Sequence, residues 1–200
     1  MPFLSEADRR AALQLAREAV VEAVSHRQLP KVFPREGIFA ERRGVFVTLH
    51  VGKRLQGCIG VIEANEQLGE AIVRCAASAA LEDPRFAPMR TDQLGELSIE
   101  ISLLSAMEAI EPQSIEIGRH GLFVRLHAQR GLLLPQVAIE HGLTREQFLE
   151  ETCRKAGLRR EAWRDPEVHL FAFTCEVFSE AHIPKEPEGF SQAGKLEIEE

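Results

Sequence analysis

The spacing of apolar positions changes several times along the chain, and each change predicts an element. Over residues 5–26, Ala12, Leu15, Ala16, Ala19, Val20 and Ala23 recur at helical spacing, so one stripe of a helix packs on a core. Ser5 supplies the N-cap, and Asp8 places a carboxylate in the first turn, where the helix dipole favours it. Residues 27–44 contain Pro30 and Pro34 and read as an irregular connector. Two strands follow at 45–51 and 54–62, around Gly52-Lys53, a dipeptide suited to a tight hairpin. A two-residue loop pairs Val51 with Arg54, Leu49 with Gln56 and Val47 with Cys58. Cross-strand partners share a face, so this register groups Cys58 with Val47 and Leu49, away from Thr48. A slip of one residue reverses the assignment.

Residues 66–82 return to helical spacing, with Leu68, Ala71, Ile72, Cys75, Ala76 and Ala79 on one face. Asp83-Pro84 ends that helix, because a residue before proline avoids helical geometry. Residues 97–104 alternate as a strand, with Leu97, Ile99, Ile101 and Leu103 on one side and Ser98, Glu100 and Ser102 on the other. A hairpin-like region at 115–126 is expected to turn at Arg119-His120-Gly121, before the short apolar run 131–135. Gln136 and Glu140 fall on a short helix after Pro135. Thr144 and Gln147 form a capping box that opens a helix through Ala156, stopped by Gly157. Residues 168–178 read as one final strand containing Cys175, and 181–200 as an acidic flexible tail. Helices interleaved with hairpins point to α+β layers rather than a doubly wound parallel sheet.

Composition narrows the partners. The 200 residues are 44% apolar and 28% charged with a net charge of −7, an ordinary globular balance that argues against a phosphate-binding surface for nucleic acid. No run approaches the length of a membrane helix. The four cysteines, at 58, 75, 153 and 175, form no C-x-x-C and no metal-ligand spacing, so the sequence implies no metal and no cofactor, and a reducing cytoplasm is expected.

Candidate chemistry centres on Leu55-Gln56-Gly57-Cys58-Ile59-Gly60. Two glycines weaken a strand, so a ligand or another backbone must come close to Cys58. The thiol is either a buried small hydrophobe or a nucleophile, redox group or substrate contact. Asp83 and Arg85 read either as a structural pair at the helix end or as a clamp for a carboxylate or phosphate. Glu100 is a candidate general base if its side of the strand faces Cys58.

The hexapeptide, with Asp83-Pro84-Arg85-Phe86-x-Pro88, the Glu100 strand, residues 130–138, Thr152-Cys153-x-Lys155-Ala156-Gly157-Leu158 and Trp163, resembles the AMMECR domain family. Its bacterial and archaeal members are called protein A of the AmmeMemoRadiSam system. The resemblance spans about residues 8–180 at family spacing. It implies one AMMECR-like domain, residues 1–180, of two α+β lobes with mostly antiparallel sheets, packed helices and a cleft between the lobes. It also implies action on an unknown small molecule or protein beside a radical S-adenosylmethionine protein and a Memo-like protein, as an enzyme component or as a non-catalytic scaffold. The site residues would be Cys58 and Glu100 for chemistry, and Gln56, Gly57, Gly60, Asp83 and Arg85 for the substrate. Gln56 departs from the family, which carries arginine there, and a glutamine has no charge with which to activate the thiol.

Overall fold

The computed structural model describes residues 4–30, 34–63 and 65–180, so the tail expected from residue 181 lies outside them. The first helix, α1 (Glu6–His26), starts as its caps dictate: the Ser5 hydroxyl accepts from the Asp8 N–H at 3.1 Å, and the Asp8 carboxylate accepts from the Ser5 N–H. A hairpin of β1 (Val45–Val51) and β2 (Arg54–Val61) follows, turning at Gly52, whose φ of +59° suits glycine. Next come α2 (Leu68–Leu81), β3 (Leu97–Leu104) and the two-residue β4 (Glu108–Ala109). The remainder is β5 (Gly121–Leu126), β6 (Gln129–Leu133), α3 (Pro135–Glu140), α4 (Arg145–Lys155), β7 (His169–Phe173) and β8 (Cys175–Ser179). Thr144 and Gln147 close the capping box of α4, and Gly157 follows its end at φ +74°.

These strands make two antiparallel sheets, ordered β2-β1-β3-β8 and β4-β7-β5-β6. The architecture is α+β. Among the described residues, no helix is long and apolar enough to cross a membrane.

Alternation sets the main core. Val45, Val47 and Leu49 of β1 join Leu97, Ile99, Ile101 and Leu103 of β3 beneath α1 and α2. Burying each of these larger side chains contributes roughly 1.5–3 kcal/mol. The other face of the same sheet carries Phe46, Thr48, His50, Ser98, Glu100 and Ser102. In the second sheet, Leu122 packs with Phe148 and Leu149 of α4, while Phe123 points to the opposite side. There Phe123, Leu132 and Phe173 meet Leu104 and Phe46, which joins the two sheets at the end of the first sheet where β1 begins.

Three expectations are corrected. The β1–β2 register begins as expected, with Val51 opposite Arg54 and His50 opposite Leu55, but then skips Gln56, so that Leu49 faces Gly57 and Thr48 faces Cys58. This β-bulge moves Cys58 onto the face away from α1 and α2. The second hairpin does not turn at Arg119-His120-Gly121. That segment folds onto Glu116, whose carbonyl accepts from both Arg119 and His120 N–H, and the hairpin joins β5 to β6 through His127-Ala128. The last strand is split at Thr174. Its N–H donates to the Ser105 hydroxyl and its carbonyl accepts from the Ser105 N–H, so the chain leaves the second sheet there and enters the first.

Candidate functional site

The bulge at Gln56 decides what surrounds Cys58. In the observed register, Cys58, Thr48, Glu100 and Ser179 lie in one row across β2, β1, β3 and β8. The Thr48 hydroxyl donates to Cys58 Sγ at 3.3 Å. Sequence reasoning missed Thr48, because an unbroken hairpin places it on the opposite face from the thiol. The displaced Gln56 turns its amide to the chain beyond α2, where Nε2 donates to the Ala87 carbonyl at 2.8 Å.

β2 is an edge strand, and an edge leaves backbone groups without a neighbouring strand. Asp83 and Arg85 take the place of that neighbour at Cys58. The Cys58 N–H donates to Asp83 Oδ2 at 2.9 Å, and the Cys58 carbonyl accepts from Arg85 Nη2 at 3.2 Å. Arg85 also clasps Asp83 through Nε at 2.9 Å and Nη2 at 2.7 Å, and its N–H donates to Asp83 Oδ1 at 3.1 Å. The Arg85 guanidinium, and then the Cys58 N–H, hold the Asp83 carboxyl well below the usual carboxylate range despite its burial. Both residues therefore position the Cys58 backbone, tying the end of α2 to the sheet edge.

The glycines on either side of the thiol have local partners. A Cβ on Gly57 would enter the van der Waals shell of the Ala79 carbonyl in α2, and one on Gly60 would strike the Phe46 ring. At Gly57 the close approach comes from another backbone, and at Gly60 from an aromatic side chain. α2 fits this close to β2 because Ala71, Ala76, Ala79 and Ala80 keep its buried face thin.

Glu100 stands on the same face as Cys58 with Thr48 between them. Two strand spacings separate their backbones by about 10 Å, so a base at Glu100 would reach Cys58 only through a molecule lying over Thr48. Among the described residues, no hydrogen bond or ion pair engages the Glu100 carboxylate. Farther along this face, Ser102 is buried, and Cys175 lies opposite Leu104. Ser102 and Gln136 of α3 both adjoin the Cys175 sulfur, with Glu100 close enough to act on it electrostatically.

Burial separates the thiols. Cys75 is pushed up to about 11 by its surroundings, and Cys175 also to about 11, with Ser102 and Gln136 only partly offsetting burial. Burial likewise raises Cys153; Cys75 and Cys153 are buried, whereas Cys58 and Cys175 are half-buried. A concavity of about 830 Å³ lies in the second half of the chain, lined by Leu133, Val137, His141 and Lys155 among others, and contains none of the expected site residues.

The AMMECR1 family model matches residues 13–178. A protein of Methanosarcina barkeri is 41% identical over 198 residues, covering 94% of this chain and 95% of its own. One of Methanopyrus kandleri is 42% identical over 187 residues, covering 88% of each. A crystal structure of an uncharacterised protein from Pyrococcus horikoshii superposes with a TM-score of 0.76 at 38% identity, covering 86% of this chain and 91% of that one. With most of its length matched in sequence and in shape, the chain belongs to the AMMECR1 family.

Proposed function

We propose that this protein is an enzyme or enzyme component that modifies a substrate held against the Cys58 face of the first sheet. The radical S-adenosylmethionine and Memo-like proteins implied by the sequence resemblance are its proposed partners. One observation carries the reading: of the two half-buried thiols, Cys58 and Cys175, it is Cys58 whose backbone N–H and carbonyl are both clamped by charged side chains. Asp83 and Arg85 fix the position of the sulfur, Thr48 orients it, and Glu100 is the nearby carboxylate with no partner among the described residues. Clamping by hydrogen-bonded charged groups is the kind of support that keeps a reacting atom in place. Glu100 would take a proton from a substrate group bridging the row.

A scaffold reading, in which the chain presents a substrate without chemistry of its own, is favoured by the two glycines, because protein atoms account for both. Comparing metabolites from cells carrying the wild-type chain, Cys58→Ser, or no copy separates the two. The enzyme reading expects the Cys58→Ser profile to match the deletion while the purified variant melts within about 3 °C of wild type. A wild-type profile from Cys58→Ser removes the thiol from the chemistry and leaves the scaffold.

A further inference from the structure

We infer that the cavity bordered by α3 and α4 binds a small molecule with an apolar body and a single carboxylate. This is a second site, apart from the Cys58 face, and it does not depend on the reading of that face.

The two walls of this cavity of about 830 Å³ differ in character. Leu133 of β6, Val137 of α3 and Leu143 form the apolar wall. They pack against the core of Ala138, Phe148 and Leu149 yet stay only half-buried, so apolar surface is left facing the opening. A space of this volume suits an organic molecule rather than a bare ion. The polar wall comes from the end of α4, where Glu151, Arg154 and Lys155 share one side at helical spacing. Arg160 joins them from the short turn that follows. The walls are held together by β6, because a Cβ on Gly131 would run into the backbone at Lys155 and Ala156. Leu133, two residues along the strand, shares the Gly131 face.

The charges on the polar wall do not cancel. Glu151 gives one carboxylate oxygen to Arg154 at 2.6 Å and the other to Arg160 at 3.1 Å. Arg160 also approaches Glu150 at 3.6 Å. Two carboxylates thus meet two guanidiniums, and among the described residues no ion pair or hydrogen bond engages the Lys155 ammonium. One positive charge is left over, in a chain whose net charge is −7. A helix end favours cations in its last turn, which accounts for basic residues there but not for the apolar wall opposite them. A cationic ligand would meet Lys155 with like charge. A carboxylate supplies the missing counter-charge and accepts from guanidinium N–H groups that Glu151 leaves over, while the apolar body covers Leu133, Val137 and Leu143. A phosphate dianion would carry one charge more than the wall has to spare.

The probes are phenylacetate, benzylammonium, phenyl phosphate and acetate, titrated at equal ionic strength into the full ¹⁵N-labelled chain while amide spectra are recorded. Phenylacetate is expected to shift the Val137, Leu143 and Lys155 signals saturably below about 10 mM. Acetate lacks the apolar body and benzylammonium has the opposite charge, so each should bind at least tenfold more weakly. Phenyl phosphate should bind no tighter than phenylacetate. Lys155→Met should weaken phenylacetate at least fivefold, whereas Lys53→Met, at the turn between β1 and β2, should leave its affinity unchanged. Both lysines are exposed, so both variants should melt with wild type. Unchanged affinity in Lys155→Met, equal binding by benzylammonium or acetate, tighter binding by phenyl phosphate, or no saturable shift with phenylacetate would each overturn the proposal.

Discussion

Replacing Asp83 with asparagine would test whether the carboxylate is what holds the Cys58 backbone at the sheet edge. The Asp83 side chain is 2% exposed and that of Arg85 56%, so the two partners lose different amounts. Oδ1 accepts the Arg85 N–H and Nε, and Oδ2 accepts the Cys58 N–H and Arg85 Nη2. Whichever oxygen becomes NH₂ then faces two donors with a third. The exposed guanidinium recovers water and contributes little to the loss. The buried carboxylate's bonds are charge-assisted and worth about 1.5–3 kcal/mol, so Asp83→Asn should destabilise by about 2–3 kcal/mol. For a chain of this size that corresponds to about 5–10 °C.

The pH dependence has a definite sign. A carboxyl whose folded pKa is depressed stabilises above its unfolded value near 3.9, and that contribution is lost as pH falls toward the folded value. The gap between wild type and Asp83→Asn should therefore be constant from pH 7 to about 5 and narrow progressively below pH 4. Denaturant unfolding followed by circular dichroism at several pH values reads both quantities. A gap under about 0.5 kcal/mol at pH 7, or one unchanged at pH 2.5, would refute the clamp.

Other substitutions probe neighbouring steps of the same reasoning. Gly57→Ala drives a methyl group into the α2 backbone at Ala79 and should cost about 3 kcal/mol or more. Gly95→Ala, with nothing within 4 Å of the new Cβ, should stay within about 0.5 kcal/mol; similar denaturation midpoints for the pair would contradict the packing described. Limited iodoacetamide treatment at pH 8 should label the Cys58 peptide first, since about one in a thousand Cys75 or Cys175 thiols is ionised when the pKa lies near 11. Equal labelling of Cys75 in the folded protein, read by peptide mass spectrometry, would show that its burial is wrong. Gln56→Arg retains a donor for the Ala87 carbonyl and should leave stability within about 0.5 kcal/mol, whereas Gln56→Leu should lose about 1 kcal/mol. Matching melting curves for the two would mean that the bond contributes nothing.

The sequence by itself determined what nearest neighbours control. Ser5 with Asp8, and Thr144 with Gln147, set the starts of α1 and α4, because a cap acts across three residues. The alternation of β3 fixed which side enters the core, and the α+β class followed from the mixture of periods. Tertiary structure decided the surroundings of Cys58. The bulge at Gln56 has no local signature, since it is set where Gly57 meets Ala79 and Cys58 meets Asp83, contacts spanning more than 20 residues. One skipped residue reverses every side chain beyond it on a strand, which is why Thr48 and Glu100, rather than Val47 and Leu49, share the face of the thiol. Gln136 is closer to Cys175 than sequence distance suggests because the last strand changes sheets at Thr174, held by Ser105. A chain can specify its turns from adjacent residues, but which groups converge depends on how those turns pack together.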